Sequence, residues 1–244
     1  MITFLTSWAG GCDKIEGKRI PARIAEANGF LDKLKTVWPD DAKVIMICAD
    51  PDDIGKNDSQ LACFRESLPM SGLPVSQVLL CDGRNEGIAD EISGCDVIIL
   101  TGGHVPTQNA FMKRIGLKEK LQGFDGIVFA WSAGSMNCAD PVYASPELPG
   151  EAAGQDFKRW ISGLGLTKTN IYPHYQMLKD DVLDGMKVME DITYPDSMVH
   201  DIIALNDGSY IIAGDEGETL YGEAYLISNG KIRLICRDGE SVRI

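Results

Sequence analysis

Paired cysteines, long apolar stretches and an excess of basic residues are all missing from this chain. Its seven cysteines (Cys12, Cys48, Cys63, Cys81, Cys95, Cys138 and Cys236) are odd in number and include no C-x-x-C pair. That pattern argues against a disulfide framework and against a structural zinc site. Most of them sit in apolar runs, such as VIMICA around Cys48 and IRLICR around Cys236, where cysteine behaves as a small hydrophobe. A reduced, cytoplasmic compartment is the expectation. No stretch approaches the length of a transmembrane helix. Small residues precede Cys12, but no Lys or Arg precedes the short apolar part, so the N-terminus reads as a first strand and its loop rather than a signal segment. Lys and Arg number 23 against 36 Asp and Glu, giving a net charge of −13. An acidic surface repels phosphate backbones and anionic lipid, so neither nucleic acid nor membrane is an expected partner. It leaves the charge inside a pocket unconstrained.

Repeats, low-complexity tracts and linkers are absent too. With 244 residues, of which 44% are hydrophobic, one domain over residues 1–244 is the simplest organisation. Short apolar runs alternate with amphipathic stretches. Strands are predicted at Ile2 to Leu5, Val44 to Ala49, Val75 to Leu80, Val97 to Leu100 and Gly126 to Ala130. Helical spacing is read at Ile24 to Trp38, Gln60 to Leu68, Ile88 to Ile92, Ala110 to Ile115, Lys118 to Leu121 and Asp180 to Ile192. This rhythm predicts an α/β fold, a mostly parallel sheet flanked by helices, with sites at the C-terminal ends of the strands. From Ile202 onward, short strands are broken by turns at Asn206-Asp207-Gly208, Asp215-Glu216-Gly217 and Asn229-Gly230, which predicts a C-terminal antiparallel extension.

The segment GIVFAWSAGSMNC, Gly126 to Cys138, carries the strongest chemical signal. A buried strand runs into Ser132, and small residues follow at once. A nucleophile elbow needs this, because a serine on a sharp strand-to-helix turn tolerates only small neighbours. The flanking small positions are Ala130 and Gly134, where the common pattern has glycine at both. The backbone N–H of Ala133 is the expected first oxyanion donor. Gly102 and Gly103, just past the VIIL strand, are candidates for the second. The competing reading is a tight turn whose serine caps a helix.

A serine hydroxyl needs a base, and the chain has three histidines: His104, His174 and His200. His174 follows Tyr172-Pro173 on what reads as a rigid loop after a strand, and is favoured. His104 follows Gly102-Gly103 at the expected pocket rim and is the reserve. His200 reads as a surface position. The base in turn needs an orienting carboxylate. Between the serine and His174 the candidates are Asp140, Glu147, Glu151 and Asp156. Glu147, stiffened between Pro146 and Pro149, agrees with the serine–acid–histidine order of elbow hydrolases, but a solvated loop glutamate would look the same.

Thr101-Gly102-Gly103, Trp131-Ser132-Ala133-Gly134, the Pro-flanked loop at Glu147 and Pro173-His174-Tyr175 together resemble the dipeptidase E (aspartyl dipeptidase) family of serine peptidases. That resemblance implies a class I glutamine-amidotransferase-like, flavodoxin-like three-layer fold and a triad needing no metal or other cofactor. It implies Ser132 as nucleophile, His174 as base and Glu147 as acid. The family's best-known members release N-terminal aspartate from short peptides, so a small peptide is the implied substrate. The family usually has a third glycine and then asparagine after the strand, where this chain has His104 directly after Gly102-Gly103, and that departure marks His104 as a substrate-binding position. Glutamine amidotransferases on this fold use a cysteine nucleophile, and Cys138 lies too far into the helix to serve. Alternatives are a non-catalytic binding member of the same fold, or an esterase or amidase on the same machinery.

Overall fold

A computed structural model describes residues 1–244. Five parallel strands form the centre of the main sheet: β1 (Ile2–Thr6), β2 (Ala42–Ile47), β3 (Val75–Cys81), β4 (Val97–Leu100) and β5 (Ile127–Trp131). They lie in the order β1-β5-β4-β2-β3. Three antiparallel strands, β8 (Tyr210–Gly214), β9 (Gly217–Tyr221) and β12 (Ser241–Arg243), extend the sheet beyond β1. A second sheet has the order β6-β7-β10-β11, from β6 (Asn170–Tyr172), β7 (Ile202–Leu205), β10 (Ala224–Ser228) and β11 (Lys231–Cys236). The expected mixed α/β architecture with late antiparallel strands is therefore present.

Burial follows from the strand sequences. All of β4 and β5 is buried, as continuous Val/Ile/Leu/Phe runs demand when helices cover both sheet faces. The α-helices of four residues or more are α1 (Phe30–Lys35), α2 (Ile54–Met70), α3 (Val105–Arg114), α4 (Leu117–Lys120), α5 (Ala133–Asn137) and α6 (Tyr175–Leu178). On one face Phe30 packs edge-on to Phe4 and Tyr210, with ring centroids 6.0 and 4.9 Å apart. At the site end Trp131 stacks flat on Phe64 of α2, at 5.1 Å and 1°. Aromatic contacts of this kind add to area burial and fix α2 against the end of β5.

Two predicted helices are corrected. Residues 24–38 are not one helix: Ile24 ends a strand of a hairpin (Gly10–Ile15 with Lys18–Ile24), and only Phe30–Lys35 is α-helical. Asn28 and Gly29 have φ of 53° and 74°, and this left-handed pair interrupts the helical path despite the apolar spacing. Residues 180–192 are likewise not a continuous helix. Val182–Leu183 and Met186–Lys187 form a tiny hairpin around Asp184-Gly185, both with positive φ, and a π-helical turn follows at Val188–Thr193. Asp-Gly is the signal that should have weighed against the periodicity there. Asn229-Gly230 turns with φ of 51° and 74° between β10 and β11, the hairpin its sequence predicts.

Candidate active site

At the end of β5 the chain turns sharply. Ser132 has φ 51° and ψ −122°, a sparsely populated conformation for a residue with a side chain. The turn is held on both sides. Ser132 N–H donates to the Thr6 carbonyl at 3.0 Å, the Ser135 hydroxyl donates to the same carbonyl at 2.9 Å, and Met136 N–H donates to the Ser132 carbonyl at 3.0 Å. Gly134 is required by contact: a Cβ there would stand 2.3 Å from the Leu100 carbonyl oxygen. Gly102 is equally confined, since a Cβ would fall 2.8 Å from the Trp131 ring and 3.0 Å from the Ser132 Cβ. Gly103 packs on Ala49, and Ala130 is fully buried in β5. Ser132, Ala133, Gly102 and Gly103 thus come together at one edge of the sheet.

Ser132 borders a cavity of about 320 Å³, lined also by Glu147, Tyr172, His174, Leu178 and Asp181. His174 sits at the end of β6 with φ 56°. Its Nδ1 lies 2.7 Å from Asp207 Oδ1. With the proton on Nδ1 that contact is N–H···O⁻, and Nε2 keeps a free lone pair. The Ser7 hydroxyl, buried at the end of β1, donates to the same Oδ1 at 2.7 Å and accepts from the His174 backbone N–H at 2.8 Å. Asp207 N–H donates to Gln176 Oε1 at 2.9 Å. Burial works against the Asp207 charge, but the hydrogen bonds from His174, Ser7 and Gln176 outweigh it and hold the carboxyl below its ordinary range. Ser132 and His174 share the cavity without a direct hydrogen bond between them. Such contacts commonly tighten only when substrate binds.

The carboxylate on His174 is therefore Asp207, and Glu147 makes no hydrogen bond to the imidazole. Glu147 instead lines the cavity as an exposed residue. It keeps contact with solvent, yet the concave walls strip much of its hydration. That burial, with the nearby Glu151 charge, raises its pKa to about 7 against the opposing pull of His174 and Lys56. The other acids weighed from sequence are engaged elsewhere or open. Asp140 pairs with Lys118 at 2.6 Å, Glu151 bonds His104 at 2.9 Å, and Asp156 is exposed. His200 is exposed beside Trp160, and Cys138 is fully buried. Asp207 follows His174 in the chain, outside the serine–acid–histidine order of elbow hydrolases. It sits in the Asn206-Asp207-Gly208 turn at the end of a strand, where the sites of such sheets lie, but the turn sequence by itself does not set it apart from other turn aspartates.

No group of three or more His, Cys, Asp or Glu side chains is arranged to hold a metal ion. No helix is long and apolar enough to cross a membrane.

A strained serine at the end of a parallel strand thus shares a cavity with a histidine backed by a carboxylate, the residue types that serine-type hydrolysis uses. Residues 40–223 match the model of peptidase family S51, the dipeptidase E family, and the chain belongs to that family of serine-type peptidases. No curated protein matches the chain. Among solved structures it is similar to a provisionally assigned peptidase E protein from Listeria monocytogenes EGD-e. The likeness has 14% identity and a TM-score of 0.56, and covers 100% of this chain and 98% of the other. At that identity it bears on the fold alone.

Proposed function

We propose that this peptidase hydrolyses short peptides from their free N-terminus with a Ser132–His174–Asp207 triad. Ser132 Oγ attacks the scissile carbonyl while His174 Nε2 takes its proton and later delivers it to the leaving amine. Asp207 holds the imidazole in the needed tautomer and stabilises it once charged. The backbone N–H of Ala133, with that of Gly102 or Gly103, receives the developing oxyanion; each such donor contributes roughly 3 kcal/mol. The observation that carries this reading is the 2.7 Å contact from His174 Nδ1 to Asp207, on the wall of the cavity that Ser132 borders.

Glu147 has a different role in this scheme. A carboxylate lining the cavity, not bonded to the base, suits the substrate's α-ammonium and makes the site an exopeptidase site for small substrates. An acidic first residue has a partner to hand as well. Lys56, in the first turn of α2, brings its Nζ to 3.6 Å from where a Gly103 Cβ would stand. That cation beside the oxyanion turn supports aspartate at the substrate N-terminus.

The test joins two measurements. A serine-directed fluorophosphonate should label wild type at Ser132 and leave Ser132→Ala untouched. A dipeptide screen with varied first residues should show turnover that Ser132→Ala abolishes, with Asp-Leu ahead of Ala-Leu and N-acetylated peptides inert. Failure to label the native protein sinks the catalytic reading and favours a binding protein built on the same elbow. That alternative draws on the missing hydrogen bond between Ser132 and His174.

A further inference from the structure

His104 directly follows the oxyanion-side glycines, yet both of its ring nitrogens are already engaged. Nδ1 lies 2.7 Å from Thr107 Oγ1 and Nε2 lies 2.9 Å from Glu151 Oε1. No nitrogen remains to meet a substrate. The second Glu151 oxygen accepts from the backbone N–H groups of Glu147 at 2.8 Å and Leu148 at 2.9 Å. From the imidazole to the backbone of Glu147 is thus a path of two hydrogen bonds through one carboxylate.

The rest of this loop is tied down from the opposite side. Asp184 accepts from the N–H groups of Gly150, Ala152 and Ala153, at 2.9, 3.0 and 3.3 Å. Arg159 donates to the carbonyls of Glu151 and Ala152, both at 3.1 Å. Those contacts fix the distal end of the loop. The end that carries Glu147 is joined to the oxyanion turn through Glu151 and His104.

We infer that His104 and Glu151 form a latch that holds the Glu147 loop against the oxyanion turn, making His104 a positioning residue for substrate recognition. This rests on the reading of Glu147 as the ammonium anchor. The latch joins the two parts of the site a substrate must satisfy at once: the donors that receive the carbonyl oxygen and the carboxylate that receives the amine. A bound peptide is measured against the distance between them, so the latch sets how far the amine stands from the carbonyl.

The latch also has an electrostatic signature. The titratable groups around Glu147 are Glu151 on its own loop, His174 after β6 and Lys56 on α2, while Asp181 lines the same cavity. Glu151 held close disfavours the Glu147 charge. A released Glu151 would let Glu147 ionise at lower pH.

The experiment compares His104→Ala with His104→Gln in the full chain. Glutamine keeps an N–H donor for Glu151 and removes the ring. His104→Ala should raise KM for a dipeptide about tenfold, the scale of one hydrogen bond to a charged group, with kcat changed far less. It should also move the acid limb of kcat/KM to lower pH, and His104→Gln should restore both. Unchanged KM and pH profile in the alanine variant would overturn the latch. Glutamine behaving like alanine would also overturn it, because the ring itself would then be what matters. A turnover-independent measurement stands beside these: cleavage after Glu147 or Glu151 by a glutamate-specific endoprotease should quicken in His104→Ala and return to the native rate in His104→Gln. Equal cleavage rates would overturn the latch too. Loss of Ser132 labelling in wild type would instead strike the hydrolase reading, leaving the loop measurement to stand by itself.

Discussion

Ser132 and His174 face each other across one cavity but are assembled in opposite ways. The serine side is nearly continuous: β5, the turn and α5 are a single run of chain, with Thr6, Leu100 and Gly102 pressed against it. The histidine side is gathered from three separate segments: His174 after β6, Asp207 after β7 and Ser7 after β1. A continuous element is specified by the sizes of its own residues. A gathered one is specified by where three strands happen to end. The first kind leaves a motif in the sequence, and the second leaves only scattered polar residues that become neighbours in the fold.

Mutations test that contrast. The largest effect belongs to Ser132→Ala, which should lower kcat by about 10⁶, the scale for removing the nucleophile of a triad. Next comes Asp207→Asn, expected to lower kcat about 10⁴-fold by stabilising the wrong imidazole tautomer. Steady-state kinetics on Glu147→Gln then decides between the two carboxylates. As an ammonium anchor it should raise KM about tenfold or more, with kcat nearly kept, as loss of a charge-assisted hydrogen bond predicts. A collapse of kcat matching that of Asp207→Asn would return Glu147 to the triad.

The pH dependence sharpens the same point. Glu147 must be ionised to hold an ammonium, and its pKa is about 7. KM should therefore rise as pH falls below that value and level off above it, and Glu147→Gln should flatten the profile. The smallest change is Ser7→Ala. It removes one donor to Asp207 and one acceptor for the His174 backbone, so kcat should fall about fivefold, equivalent to one ordinary hydrogen bond of roughly 1 kcal/mol. No change at all would mean that His174 is held without help from β1.

The sequence made the serine side readable because its constraints are local. Ala133 and Gly134 after the VFAW strand can be recognised without knowing anything else about the fold. Even the absent Cβ at Gly134, facing the Leu100 carbonyl, follows from an elbow packed on a neighbouring strand. Among three histidines, His174 is favoured because it follows Tyr172-Pro173 on a loop after a strand. Asp207 is not, since chain order suggests an acid before the histidine and nothing local distinguishes this aspartate from any other turn residue. The two misread helices failed for a related reason. Apolar spacing around Leu34 and Val188 is real, but Asn28-Gly29 and Asp184-Gly185 adopt left-handed backbone that no helix can follow. His104 follows Gly102-Gly103 as the sequence requires, but both its ring nitrogens are taken up by protein partners rather than left for a substrate. Its contact with Thr107 is local, but its engagement by Glu151 depends on a loop 47 residues onward, beyond the reach of any local pattern.

The position of β1 has a consequence for how the molecule closes. It lies between β5 and β8, pairing Ile2 with Ile127 on one side and Thr3 with Ala213 on the other. Without it the parallel half and the antiparallel half share no seam, because no other strand of the main sheet touches both. This one short segment acts as a keystone, seated between partners distant in sequence, and contacts of that span are slow to form. The same few residues end in the Thr6 carbonyl and the Ser7 hydroxyl, so insertion of the keystone and completion of both sides of the site become a single event.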